Sequence, residues 1–169
     1  MMLNIFLLLI LLICVITDLK SRKIYNNVIY PALLATFTYH LITSGLDGLS
    51  HSFIGFLIGL GLLLIPYLMG GMGAGDVKLL ALIGAMKGGA FVFQSFLYIA
   101  LLGALLAVGI ILFRSGVFKS IVYYVTSLKS GVVLRGGVSR GSLTATYPYG
   151  VAIAGGAVLC MVMQGWRFL

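Results

Sequence analysis

The chain is a succession of long apolar stretches separated by short polar or glycine-rich breaks. A helix that crosses a bilayer needs about 20 mainly apolar residues, with about 17 the usual lower limit. Six stretches of that order stand between charges or Gly/Pro clusters: Met2 to Thr17, Val28 to Ser44, Ser52 to Met69, Val77 to Met86 with its flanks, Ala90 to Phe113, and Tyr149 to Trp166. They predict an all-α polytopic membrane protein of about six transmembrane helices, forming a single domain over residues 1–169. The fourth stretch is short. From Asp76 to Gly89, at 1.5 Å per residue, it reaches only about 21 Å, so either its start lies below the membrane surface or the bilayer thins there. The first stretch resembles the apolar core of a signal peptide, but it lacks a basic n-region and an Ala-x-Ala cleavage site and is read as a retained helix.

The breaks orient the helices, because cytoplasmic loops accumulate Lys and Arg. With the N-terminus outside, Lys20, Arg22, Lys23, Lys78, Arg114, Lys119, Lys129, Arg135 and Arg140 fall on the inner side, and only Lys87 and Arg167 remain outside. Both termini are therefore expected outside. The one long connection, residues 114–146, is expected on the cytoplasmic side. Within it, apolar positions three and four apart over residues 117–128 suggest a helix lying in the inner interface.

Composition changes the picture in two ways. Of 169 residues, 62% are hydrophobic and 8% charged, against roughly 45–50% and about 25% in soluble domains, which excludes an ordinary water-soluble globule. The net charge of +8 raises the question of nucleic acid, but the basic residues are scattered between apolar runs and form no stripe. Membrane orientation and anionic lipid at the inner face account for them, and no nucleic acid partner is expected. Cys14 and Cys160 each stand alone in an apolar run, so neither a disulfide nor a metal site is expected.

Candidate chemistry then narrows to the acids. There are three, Asp18, Asp47 and Asp76, and no Glu. A carboxylate at or within a membrane costs several kcal/mol by most estimates and usually marks a functional path. Asp47, in Ser44-Gly45-Leu46-Asp47-Gly48, reads as part of a short outer turn. Asp18 closes the first helix and Asp76 opens the fourth, both at the inner ends. Taken alone, Asp18 is equally an ordinary solvated boundary paired with Lys20, Arg22 or Lys23, and the plain alternative for Asp76 is a helix cap. Capping does not require the glycines of Gly70-Gly71-Met72-Gly73-Ala74-Gly75-Asp76, however. Gly73 and Gly75 permit unusual backbone angles and close approach of another chain.

Two acids reaching one membrane face from different helices form a candidate aspartyl dyad, in which charge repulsion leaves one protonated and one ionised. Other catalytic sets are poorly supplied. His40 and His51 flank the outer loop without metal-ligand spacing, and Ser142 lacks a nucleophile-elbow context. Two further classes stay open: a small ion- or proton-coupled transporter using the same two acids, and a non-catalytic assembly subunit.

The motifs resemble those of the type IV prepilin peptidases, intramembrane aspartyl proteases of the Gly-x-Gly-Asp class. The pattern Gly-x-Gly-Asp-x-Lys appears as Gly73-Ala74-Gly75-Asp76-Val77-Lys78. The family's Asp-Leu, basic spacer and Ile-Pro-Asn appear as Asp18-Leu19, residues 20–23 and Ile24-Tyr25-Asn26, with Tyr25 in place of proline. Tyr147-Pro148-Tyr149-Gly150 is similar to the family's Pro-aromatic-Gly stretch opening the last helix. Without paired cysteines or room for a cytoplasmic insertion, the chain resembles the small peptidase-only branch serving Flp or tight-adherence pili. The resemblance implies a prokaryotic inner-membrane protease with its site on the cytoplasmic side. It further implies no cofactor and no methyltransferase activity, and a prepilin substrate with a basic leader and an apolar helix. Asp18 and Asp76 carry over as the catalytic aspartates, with acid and base roles open. Lys78 either orients Asp76 or meets lipid phosphate.

Overall fold

The computed structural model of the chain describes residues 2–114 and 149–166, without the side chains of 110–114, 165 and 166. The expected loop at 114–146, with its interfacial helix at 117–128, lies outside the described residues apart from its first residue, Arg114. Among the described residues all regular structure is helical: α1 (Met2–Ser21), α2 (Asn26–Leu68), α3 (Ala74–Lys87), α4 (Gly89–Arg114) and α5 (Tyr149–Trp166). Three of these, α1, α2 and α4, are long and apolar enough to cross a membrane, and the protein is an all-α membrane protein. The chain forms two compact units. Among the described residues, one comprises 2–102 and 149–166 and the other begins at residue 103. The described part of the second is the continuation of α4 to Arg114; everything below concerns the first.

The 43 residues of α2 are not one rod. Gly45 has φ 63° and ψ −147°, a region essentially restricted to glycine, and there the chain folds back on itself. Phe37 meets Phe53 and Phe56 across the fold, with ring centroids 6.3 and 6.0 Å apart. The two arms, residues 26–44 and 46–68, thus hold the second and third apolar stretches. The outer turn expected around Asp47 contracts to Gly45, and Asp47 itself is helical.

The second arm packs on α3 in antiparallel register. Going up the arm by four and down α3 by four, His51 meets Gly88, Gly55 meets Gly84, and Gly59 meets the Leu80 carbonyl. Ser52 Oγ donates to the Ala85 carbonyl across the same seam at 2.7 Å. Gly55 and Gly59 form a Gly-x-x-x-Gly pair, the spacing that lets helix backbones approach closely.

This seam resolves the shortness of the fourth stretch. In α3, Leu79, Leu80, Ala81, Leu82 and Ile83 are fully buried, and Val77, Ala85 and Met86 nearly so. A helix apolar on every side is a core helix. Being enclosed by protein, α3 does not need the length of a lipid-facing span. Around it, α1 packs chiefly on α5, while α5 also reaches α3. The α4–α5 seam closes where Gly156 admits Ile99, Cys160 lies against the Phe91 carbonyl and Gln164 donates to Gln94 at 2.9 Å.

Candidate functional site

Two short breaks build the site. Helix α1 ends at Ser21 and Arg22 takes φ 51°, its N–H donating to the Asp18 carbonyl at 2.7 Å. The chain then runs through Ile24 to Tyr25, whose extended φ of −79° starts α2. That angle lies within the range proline imposes, so Tyr25 supplies the backbone that the expected proline would have fixed. Farther along, α2 closes at Gly70, with φ 76° and its N–H on the Tyr67 carbonyl, in the manner of a glycine terminating a helix. Gly73, extended, then starts α3.

Asp76 therefore sits inside the first turn of α3 and not at its cap. Its Oδ2 accepts the Gly73 N–H at 3.2 Å, and its own N–H donates to the Gly73 carbonyl at 3.1 Å. The acid does cap its helix, as a capping-box partner reaching back onto a glycine. Capping uses one carboxylate oxygen.

Asp18 lies near the end of α1, and its Oδ2 accepts the Gly150 N–H of α5 at 2.9 Å. Both carboxylates are buried, at 6% exposure for Asp18 and 9% for Asp76, and they lie close enough for the charge of one to act on the other. The fold thus brings together two acids remote in sequence. The charge of Arg22 also acts on Asp18. Two like charges withdrawn from water are costly unless a proton is shared or a counter-charge is near.

The remaining expected residues take definite places. A Cβ on Gly75 would fall 2.8 Å from that of Ile24, so the α3 start and the α1–α2 connection touch through the missing side chain. A Cβ on Gly73 would stand 3.2 Å from the Asp76 carboxylate. Lys78 makes no bond to Asp76 among the described residues. Its Nζ donates to Asn26 Oδ1 at 2.9 Å and Tyr30 Oη at 3.1 Å and lies 5.1 Å from the Tyr30 ring centroid, tying the start of α3 to the start of α2. Nothing in the sequence points to Tyr30; Asn26 stands in the Ile24-Tyr25-Asn26 motif without a partner being evident, and the Pro-Tyr-Gly stretch is the signal for the bond from Gly150.

At the far end of the bundle, Lys87 donates to Asn4 Oδ1 of α1 and lies over the Phe91 ring, and His51 stands against Gly88. Asp47 is exposed there, away from the other two acids. No three His, Cys, Asp or Glu side chains gather as a metal-ligand set among the described residues.

A family profile described as the type IV leader peptidase family matches residues 5–112. No curated protein and no solved structure matches the chain. The matched stretch contains both buried aspartates and the glycines before the second, and it covers more than half of the sequence. The chain accordingly belongs to the type IV leader peptidase family, whose peptidases are of the aspartic type.

Proposed function

We propose that the protein is an aspartic endopeptidase that removes the basic leader from type IV, Flp-like prepilins at the cytoplasmic face of a prokaryotic inner membrane. Asp18 and Asp76 are its catalytic pair. The observation that carries this reading is the convergence of the two acids: both buried, both at one end of the bundle, and each with one oxygen committed to a glycine N–H. In such a pair one carboxyl holds a proton and the other is ionised. The ionised acid takes a proton from water as the oxygen attacks the peptide carbonyl carbon, and the protonated acid donates to the carbonyl oxygen. Collapse of the tetrahedral intermediate breaks the C–N bond, with a proton passing to the leaving amine.

The glycines serve close packing here. Gly75 allows Ile24 to lie against the α3 start, and Lys78 braces that start through Asn26 and Tyr30. The inner basic residues repel a basic leader, so they are assigned to orientation and to anionic lipid.

The test is co-expression with a prepilin. Asp18→Asn and Asp76→Asn should each abolish the shortening of the prepilin on a gel while the protein remains in the membrane. Normal processing by either variant overturns the proposal. Loss of an ion flux with no change in substrate length would instead favour a transporter.

A further inference from the structure

We propose that Gly150, at the start of α5 and outside the stretch matched by the family, is the positioning residue for Asp18. This rests on the reading of Asp18 and Asp76 as the catalytic pair. The first N–H groups of a helix have no partner within it, and Gly150 is the second residue of α5 and is buried. Its N–H points at Asp18 Oδ2 across 2.9 Å. A bond from a backbone N–H to a carboxylate is shorter and roughly twice as strong as a neutral one.

The absence of a side chain is what permits this approach. A Cβ on residue 150 would lie 2.7 Å from Asp18 Oδ2, 3.0 Å from its Cγ and 3.1 Å from its Cβ. All three atoms belong to the acid, so any larger residue moves either the carboxylate or the end of α5. The acid cannot yield by swinging aside cheaply, because it is buried and α1 is held chiefly by α5. The two acids are consequently held by different means. Asp76 is fixed by a turn of its own helix, through Gly73. Asp18 is fixed from another helix, by a residue far along the chain. The Asp18 half of the pair is assembled only when α5 is docked.

The experiment measures steady-state cleavage of a prepilin by the full-length protein in detergent, with thermal unfolding measured alongside. Gly150→Ala should lower kcat by about 10- to 100-fold, the scale of a small misplacement of a reacting group, and leave KM for the prepilin unchanged. Gly155→Ala adds the same methyl group to α5 against the tip of Leu102, 3.1 Å away, and should retain kcat. Parental kcat in Gly150→Ala, or an equal loss in Gly155→Ala, overturns the proposal.

A second measurement does not need the Gly150 variant to fold. In protein labelled with 15N-glycine, Asp18→Ala should move the amide proton signal of Gly150 upfield while the other glycines stay in place. An unmoved signal overturns the contact. Asp18→Asn assayed in parallel separates the two ideas. If it cleaves normally, the catalytic pair is wrong; if it is inactive while Gly150→Ala is fully active, only the role of Gly150 falls.

Discussion

Gly55 and Gly84 meet backbone to backbone, so closely that a Cβ built on either falls 2.1 Å from the carbonyl oxygen of the other. No side chain stands between them to rotate away. An added methyl group must part the second arm of α2 from α3, and the parting is felt along a seam that includes Gly59 and the Ser52 bond. Overpacking of this kind costs about 1–3 kcal/mol. Gly55→Ala and Gly84→Ala should each lower the midpoint of unfolding in a denaturing detergent titration. Gly61 is on the same arm, and a Cβ there would meet nothing within 4 Å, so Gly61→Ala should be neutral or stabilising by up to about 1 kcal/mol. Equal behaviour of Gly55→Ala and Gly61→Ala would show that the seam is not close-packed.

Lys78, Asn26 and Tyr30 act as one brace between α3 and α2. If so, removing one end of the bond from Lys78 to Asn26 forfeits most of what removing both forfeits. Lys78→Ala and Asn26→Ala should each slow leader cleavage, and the double variant should be little slower than the worse single one, a coupling of about 0.5–3 kcal/mol in a double-mutant cycle. Strict additivity would place Lys78 elsewhere, for instance on lipid phosphate.

The opposite end of the bundle should separate stability from catalysis. Lys87 bonds Asn4 and lies over Phe91, far along α3 from Asp76. Hydrogen bonds to charged groups contribute about 1.5–3 kcal/mol. Lys87→Met should therefore lower the unfolding midpoint while the cleavage rate per folded molecule is unchanged. A fall in that rate at parental stability would mean that the two ends of α3 are coupled.

What could be read from the sequence follows from what hydropathy encodes. Each of the six apolar stretches lies in a helix, because a run of apolar residues is a local property. Asp18 and Asp76 could be paired because helix direction alternates and both stand at breaks rich in Lys, Arg or Gly. The contacts that set their geometry were not legible. Gly55, Gly59 and Gly84 count only as small residues in an apolar run until the partner helix is known. Gly45 reverses the chain in a single residue, which left Asp47 helical where a longer turn was expected. The reach of Lys78 to Asn26 and Tyr30, and of Gly150 to Asp18, depends on which helices become neighbours, and that is a property of the whole bundle.

The contact of Gly75 with Ile24 offers a test by compensation. Gly75→Ala places a methyl group 2.8 Å from Ile24 Cβ, while the next nearest atoms, the Ile24 carbonyl oxygen and Cα, stand at 3.4 and 3.6 Å. Removing Cβ from residue 24 therefore removes the one severe clash. Gly75→Ala should lose most of the cleavage activity, since the α3 start that carries Asp76 is pushed from the α1–α2 connection, and misplacement by a fraction of a helix turn is enough to cost orders of magnitude in rate. Ile24→Gly alone should be mildly impaired by the added backbone freedom. The double variant, Gly75→Ala with Ile24→Gly, should recover to the level of Ile24→Gly. Recovery would identify steric room as the reason for glycine at position 75, whereas a double variant as inactive as Gly75→Ala would point to a backbone requirement of the Gly73-Ala74-Gly75 turn itself.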